Sequence, residues 1–183
     1  MSAHTRRFIV TLAALATLAA RAHAATIGSG TPATQAREVS AFSAIAVRGD
    51  IDVVVRQGAR EAVQVSADDN LVGLVQTLVA GSGDQRTLQI SWPRGENIKS
   101  RARAVVTVDL IRLNSVALSG SGDFKSATAL KTPALALTIS GSSDAHLPQL
   151  DTDQLRVSIA GSGDLQAAGR AGALTISIAG SGD

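Results

Sequence analysis

The sequence predicts an all-β fold, a right-handed parallel β-helix with about 20 residues per rung, and three observations lead there. The tetrad GSGD or GSSD recurs at Gly120, Gly141, Gly161 and Gly180, in steps of 21, 20 and 19 residues. Self-similarity at a fixed period of this kind marks a repeat architecture. The residues ahead of each tetrad alternate in character. Counting back from its glycine, the second position holds Leu118, Ile139, Ile159 and Ile178, and the fourth holds Val116, Leu137, Val157 and Ile176. The sixth holds Asn114, Leu135, Leu155 and Leu174, while the intervening third holds Ala117, Thr138, Ser158 and Ser177. A period of two places one set of side chains inside and the other outside a strand. Finally, Phe42, Trp92 and Phe124 are the only aromatic residues after position 24, so the core must be built from aliphatic side chains. A rung buries those side chains only against its neighbours, and the rungs must therefore stack.

Residues 1–24 read as a secretory signal peptide: Arg6 and Arg7 precede an apolar run from Phe8 to Ala20, and Ala22-His23-Ala24 supplies the cleavage pattern. The run is too short to span a bilayer comfortably, and no later stretch is apolar enough to cross one, so the reading is an exported protein of the periplasm or cell surface with no membrane span after cleavage. Residues 25–38, with Gly28, Gly30 and Pro32 and no periodicity, read as a flexible leader to a domain over 39–183. Strand-like runs follow at 41–47, 50–57, 62–67, 87–92 and 104–110, with a segment at 68–78 that fits a helical turn after Asp68 and then a strand. Residues 39–112 are thus expected as a β-rich half that caps or leads into the rungs of 113–183.

The tetrads are expected to be structural turns, formed by Gly120, Gly122 and Asp123, Gly141 and Asp144, Gly161, Gly163 and Asp164, and Gly180, Gly182 and Asp183. Glycine reaches positive φ without a Cβ penalty, and an aspartate carboxylate can accept bonds from nearby backbone N–H groups. Ser143 replaces the second glycine of one tetrad, so that position either tolerates a Cβ or is strained. Stacked aspartates repel one another unless a cation, a raised pKa or bonded N–H groups relieve them. The capping role is preferred to a calcium ladder, because calcium-binding β-roll repeats have a nine-residue period. The expectation is no metal and no cofactor.

Taken together, FSAIAVRGDIDVVVRQG, DNLVGLVQTLV, TLQISW, VTVDLIRLNSVALSGSGDF and the recurring SGSGD resemble the GIN domain family, classed by name with the heads of autotransporter adhesins. The resemblance covers about residues 38–183 and implies an exported β-helical domain of bacterial envelopes, usually with more rungs.

Charge and composition narrow the functions. Without the signal's Arg6, Arg7 and Arg21, fourteen basic residues face fifteen acidic ones, which leaves no electrostatic footprint for nucleic acid. The absence of cysteine excludes a lipoprotein anchor, thiol catalysis and thiolate metal sites. His146 is the one histidine after the signal and reads as a solvated loop residue, and no G-x-S-x-G elbow accompanies it. Arg48-Gly49-Asp50 spells an adhesive tripeptide, but between two strands Gly-Asp is first a turn. Lys99, Arg101 and Arg103 could meet an anionic glycan or headgroup, against the simpler reading of a solvated loop. The reading is a non-catalytic, adhesin-like binding or structural module with an envelope protein or glycan as partner, the alternative being a polysaccharide-acting β-helix enzyme. The last strand, Leu174 to Ala179, is as apolar as the inner ones and nothing blunts it, so the chain is expected either to be incomplete at this end or to make end-to-end contact with another chain.

Overall fold

The computed structural model describes residues 25–83 and 85–183, so the expected signal peptide lies outside the described residues. The alternating runs form strands. In chain order these are β1 (Thr26–Ile27), β2 (Pro32–Arg37), β3 (Ala44–Gly49), β4 (Ile51–Gln57), β5 (Ala62–Asp68), β6 (Gln76–Ala80) and β7 (Thr87–Ser91). They continue as β8 (Ile98–Lys99), β9 (Ala104–Leu110), β10 (Ser115–Gly120), β11 (Phe124–Ser126), β12 (Leu130–Gly141), β13 (Ala145–Gly161) and β14 (Leu165–Gly180). Among the described residues all but β1 and β8 join one sheet of twelve strands.

The repeat stacks in parallel. Leu118 lies beside Ile139, Ile139 beside Ile159 and Ile159 beside Ile178, with Val116, Leu137, Val157 and Ile176 in a second column. Each rung has one long side that ends at the tetrad and two short ones. In β13 these are 154–161, 145–147 and 150–152, and the sheet turns round the core by passing along this one strand to both β11 and β12. The inward columns are buried up to β13, and Thr138 and Ser158 face out, as the alternation predicts.

The first half corrects the expected right-handed parallel β-helix: the sheet is mixed. β2 and β9 both run antiparallel to β5, and β6 runs antiparallel to β7. The order of rungs also departs from chain order. β3 lies between β7 and β10, and β4 between β9 and β11, so the segment 87–110 forms the layer beneath 44–57 and the chain then crosses above it to begin the repeat. Short connections produce the reversals: Gly58 follows β4, and Gly81 and Gly83 link β6 to β7 with φ of +105° and +59°. Alternation of apolar and polar residues is the same for a strand running either way, so it carried no sign of this.

Residues 25–38 are also corrected, from a leader without structure to β1 and β2. Asp68 holds them. Its carboxylate, buried at the end of β5, accepts bonds from Gly30 N at 3.0 Å and Arg101 N at 3.1 Å. Gly28 lies so close that a Cβ there would meet Asp68 Oδ2 at 1.8 Å. Asn70 adds two more ties, accepting from Ser29 N and donating to Ile27 O, both at 2.9 Å. After Asp68 the chain makes a helical turn, with Val72 N bonding Asp68 O, before β6 begins.

Candidate functional site

The tetrads lie at one corner of the stack, where each rung leaves its long side. Gly120, Gly141, Gly161 and Gly180 have φ of 142°, 121°, 133° and 136°, a region that L side chains avoid. A Cβ on any of them would also come within 2.5 Å of a carbonyl oxygen in the rung below. Gly122, Gly163 and Gly182 are not at positive φ; their constraint is proximity, since a Cβ would meet a backbone oxygen at 2.0, 2.1 and 2.2 Å. Ser143 therefore carries no strain of the left-handed kind, and its side chain points into the interior, where it is buried.

The aspartates stack by bonding to the chain. Asp144 Oδ1 accepts from Asp164 N, and Asp164 Oδ1 from Asp183 N, both at 2.9 Å. The column starts a rung earlier than the repeat reveals. Gly49 lies beside Gly120 and Val53 beside Phe124, so Gly49-Asp50-Ile51-Asp52 occupies the place of a tetrad, and Asp52 Oδ1 accepts from Asp123 N at 2.9 Å. Sequence reasoning missed Asp52, because only the first glycine and the aspartate of the tetrad survive there. Arg103 closes this end of the column: its Nη1 lies 3.0 Å from Asp52, 3.7 Å from Asp123 and 3.2 Å from Ser121 O. The hydrogen bond to Asp52 and its negative charge raise the guanidinium pKa, so Arg103 keeps its charge.

The remaining residues singled out in the sequence are dispersed. Asp50 of the RGD tripeptide accepts a bond from Trp92 Nε1 at 2.7 Å, and Arg48 and Gly49 lie within β3, so the tripeptide is a corner of a rung and not a projecting loop. Arg101 ties its backbone to Asp68, Arg103 serves the aspartate column and Lys99 sits in β8; they form no single basic patch. His146 is exposed, but on a strand and not a loop, between Lys125 and Gln166 of the adjoining rungs. Among the described residues no cluster of histidine, cysteine and acidic side chains could hold a metal ion.

Two surfaces among the described residues bear on binding. The outward side of β10, β12, β13 and β14 carries columns of small residues, Ala117-Thr138-Ser158-Ser177 and Ser119-Ser140-Ala160-Ala179. At its edge lie two adjoining cavities that share Arg112. One, of 250 Å³, is bordered by Phe42, Ser43, Glu61 and Arg86; the other, of 470 Å³, by Asn114, Pro133, Ala134, Ala136 and Arg156. Neither cavity was foreseen, since the residues come from different rungs.

A family model described as "Putative auto-transporter adhesin, head GIN domain" matches residues 41–183. The chain belongs to this GIN domain family. No curated protein matches it. Among solved structures, a "putative lipid binding protein" from Parabacteroides distasonis shares the fold with a TM-score of 0.72 at 21% identity, over 87% of this chain and 75% of that one. A "putative adhesin" from the same species gives 0.62 at 20% identity, over 87% and 83%. Another, from Bacteroides fragilis, gives 0.58 at 17% identity, over 86% and 97%. These likenesses show a shared β fold, and the family's adhesin description points to the envelope or the cell exterior.

Proposed function

We propose that this GIN domain is an exported, adhesin-like binding module without catalytic activity, which offers the outward side of its rungs to an envelope protein or glycan. The observation that carries the reading is the register of the small residues. Because β10, β12, β13 and β14 align Gly on Gly, their outward alanines, serines and threonines fall in straight columns and make a flat side four strands wide. A flat side with few long chains loses little side-chain entropy when covered. The adhesin names of the family and of two solved relatives support the same reading, as does the signal-like segment at 1–24. In this reading the rungs wind in the right-handed sense that connections between parallel strands almost always take.

A polysaccharide-cleaving enzyme would need free carboxylates facing each other across a groove. The carboxylates that gather with a base, Asp52 and Asp123 with Arg103, stand on a corner, and Asp52 is already bonded to Asp123 N. The reading also includes end-to-end contact with a second copy through β14. A two-fold pairing centred on Ile176 would set Leu174 of one copy against Ile178 of the other, so this edge is complementary to itself.

An array of glycans and matrix proteins, probed with the protein and with the Thr138→Gln/Ser158→Gln variant, tests the main claim. Binding should be saturable and fall at least about tenfold when two long neutral side chains break the flat side. No binding to any spot, or binding indifferent to both substitutions, would sink the reading.

A further inference from the structure

The two cavities that share Arg112 form a run along the edge of the flat side, and their chemistry differs. In the larger one Arg112 and Arg156 stand on the border of a floor made by Pro133, Ala134 and Ala136. Both side chains are exposed, and neither has a hydrogen bond or ion pair within the described residues. The space beside Arg156 exists because Ala136, its neighbour in the outward column, and Ser115 beyond it are small. The smaller cavity has both signs, Arg86 and Arg112 with Glu61. Arg86 is further engaged with Ser40 Oγ.

From this arrangement we infer that the run of cavities is a binding site for an acidic glycan, with the carboxylate or sulfate of one sugar held between Arg112 and Arg156 and an uncharged sugar next to it in the smaller cavity. The inference deepens the reading of the flat side as a binding surface and rests on it. Guanidinium groups donate in a planar fork that matches carboxylate and sulfate oxygens, and the cavity volume of 470 Å³ lies in the range of small-ligand sites. Glu61 repels a second anion from the smaller cavity, while its oxygens and the Arg86 guanidinium are partners for sugar hydroxyls. The apolar floor suits the C–H face of a sugar ring. A membrane surface fits less well, since among the described residues Ile111 is the one large, exposed apolar side chain bordering these cavities, too little for insertion.

The test is titration calorimetry of the protein with an oligogalacturonate, a neutral galactose oligomer of the same length, and vesicles of phosphatidylcholine with phosphatidylglycerol. Three variants accompany it: Arg112→Gln, Arg156→Gln and, as a control for total charge, Arg94→Gln. The inference expects oligogalacturonate to bind more tightly than the neutral oligomer and to lose about tenfold or more in each of the first two variants, with Arg94→Gln within about twofold of the parent. Equal losses in all three variants, or no preference for the acidic oligomer, would overturn it. Vesicle binding that depends on Arg112 and Arg156 without oligogalacturonate binding would assign the pair to a membrane instead. If the array finds ligands that the flat-side variant loses but Arg112 and Arg156 leave untouched, the surface reading stands and the acidic-glycan inference alone fails.

Discussion

At the scale of single residues, the aspartates of successive tetrads are linked through the backbone. Asp144 and Asp164 each accept the backbone N–H of the aspartate one rung on, and a carboxylate bonded to N–H groups is stabilised without a metal. The tetrad itself was legible because it is repeated, and repetition separates a structural signal from chance. Its first member was not: Asp52 sits in Gly49-Asp50-Ile51-Asp52, and only register shows the equivalence. The same reasoning gives a prediction that separates capping from metal binding. Asp144→Ala should cost about 1 kcal/mol, while Asp144→Asn, which keeps a side-chain oxygen, should cost clearly less. Melting curves of the parent with calcium and with chelator should coincide. A rise of many degrees with calcium, lost in Asp144→Ala and Asp164→Ala, would show that the column is a metal site.

At the scale of elements, period-two alternation located most of the strands but was silent about direction and about polar anchoring. β9 and β5 have similar patterns of buried and exposed positions and run in opposite senses. β2 was invisible because what holds its entry is Asp68, whose bonds go to backbone N–H groups that no sequence pattern displays. Corner hydroxyls were missed for the same reason: buried Ser126 donates to Thr128 O at 2.7 Å and buried Thr152 to Gln154 O at 3.0 Å, each spanning a bend between two sides of a rung. Asp68→Ala leaves the N–H groups of Gly30 and Arg101 without their acceptor, and the expected cost is about 2–3 kcal/mol. Limited proteolysis should then cut within 25–37 well before the rungs. A variant as resistant as the parent through β2 would show that the antiparallel pairing with β5 suffices and that Asp68 is not the anchor.

At the scale of the whole molecule, the two ends of the described stack differ. The antiparallel strands β2, β5 and β6 flank the first layer, where they interrupt the parallel edge on which another rung could add. At the other end β14 continues the inward columns with no described residue against them: Leu174, Ile176 and Ile178 are 57%, 52% and 47% exposed, whereas Leu155, Val157 and Ile159 directly beneath are 5%, 4% and 2% exposed. The inward columns themselves were legible from the repeat, since the same aliphatic alternation precedes each tetrad. The reordered layers of the first half were not, because alternation ranks no strand above another. Amide hydrogen exchange of the protein, with its mass checked by light scattering in the same buffer, tests this architecture most directly. The account predicts the slowest exchange at Leu135–Ile139 and Leu155–Ile159, with Leu174–Ile178 faster by a factor of ten or more in a monomer, and protected only where the mass shows a second copy. A monomer whose β14 exchanges as slowly as β13 would contradict it.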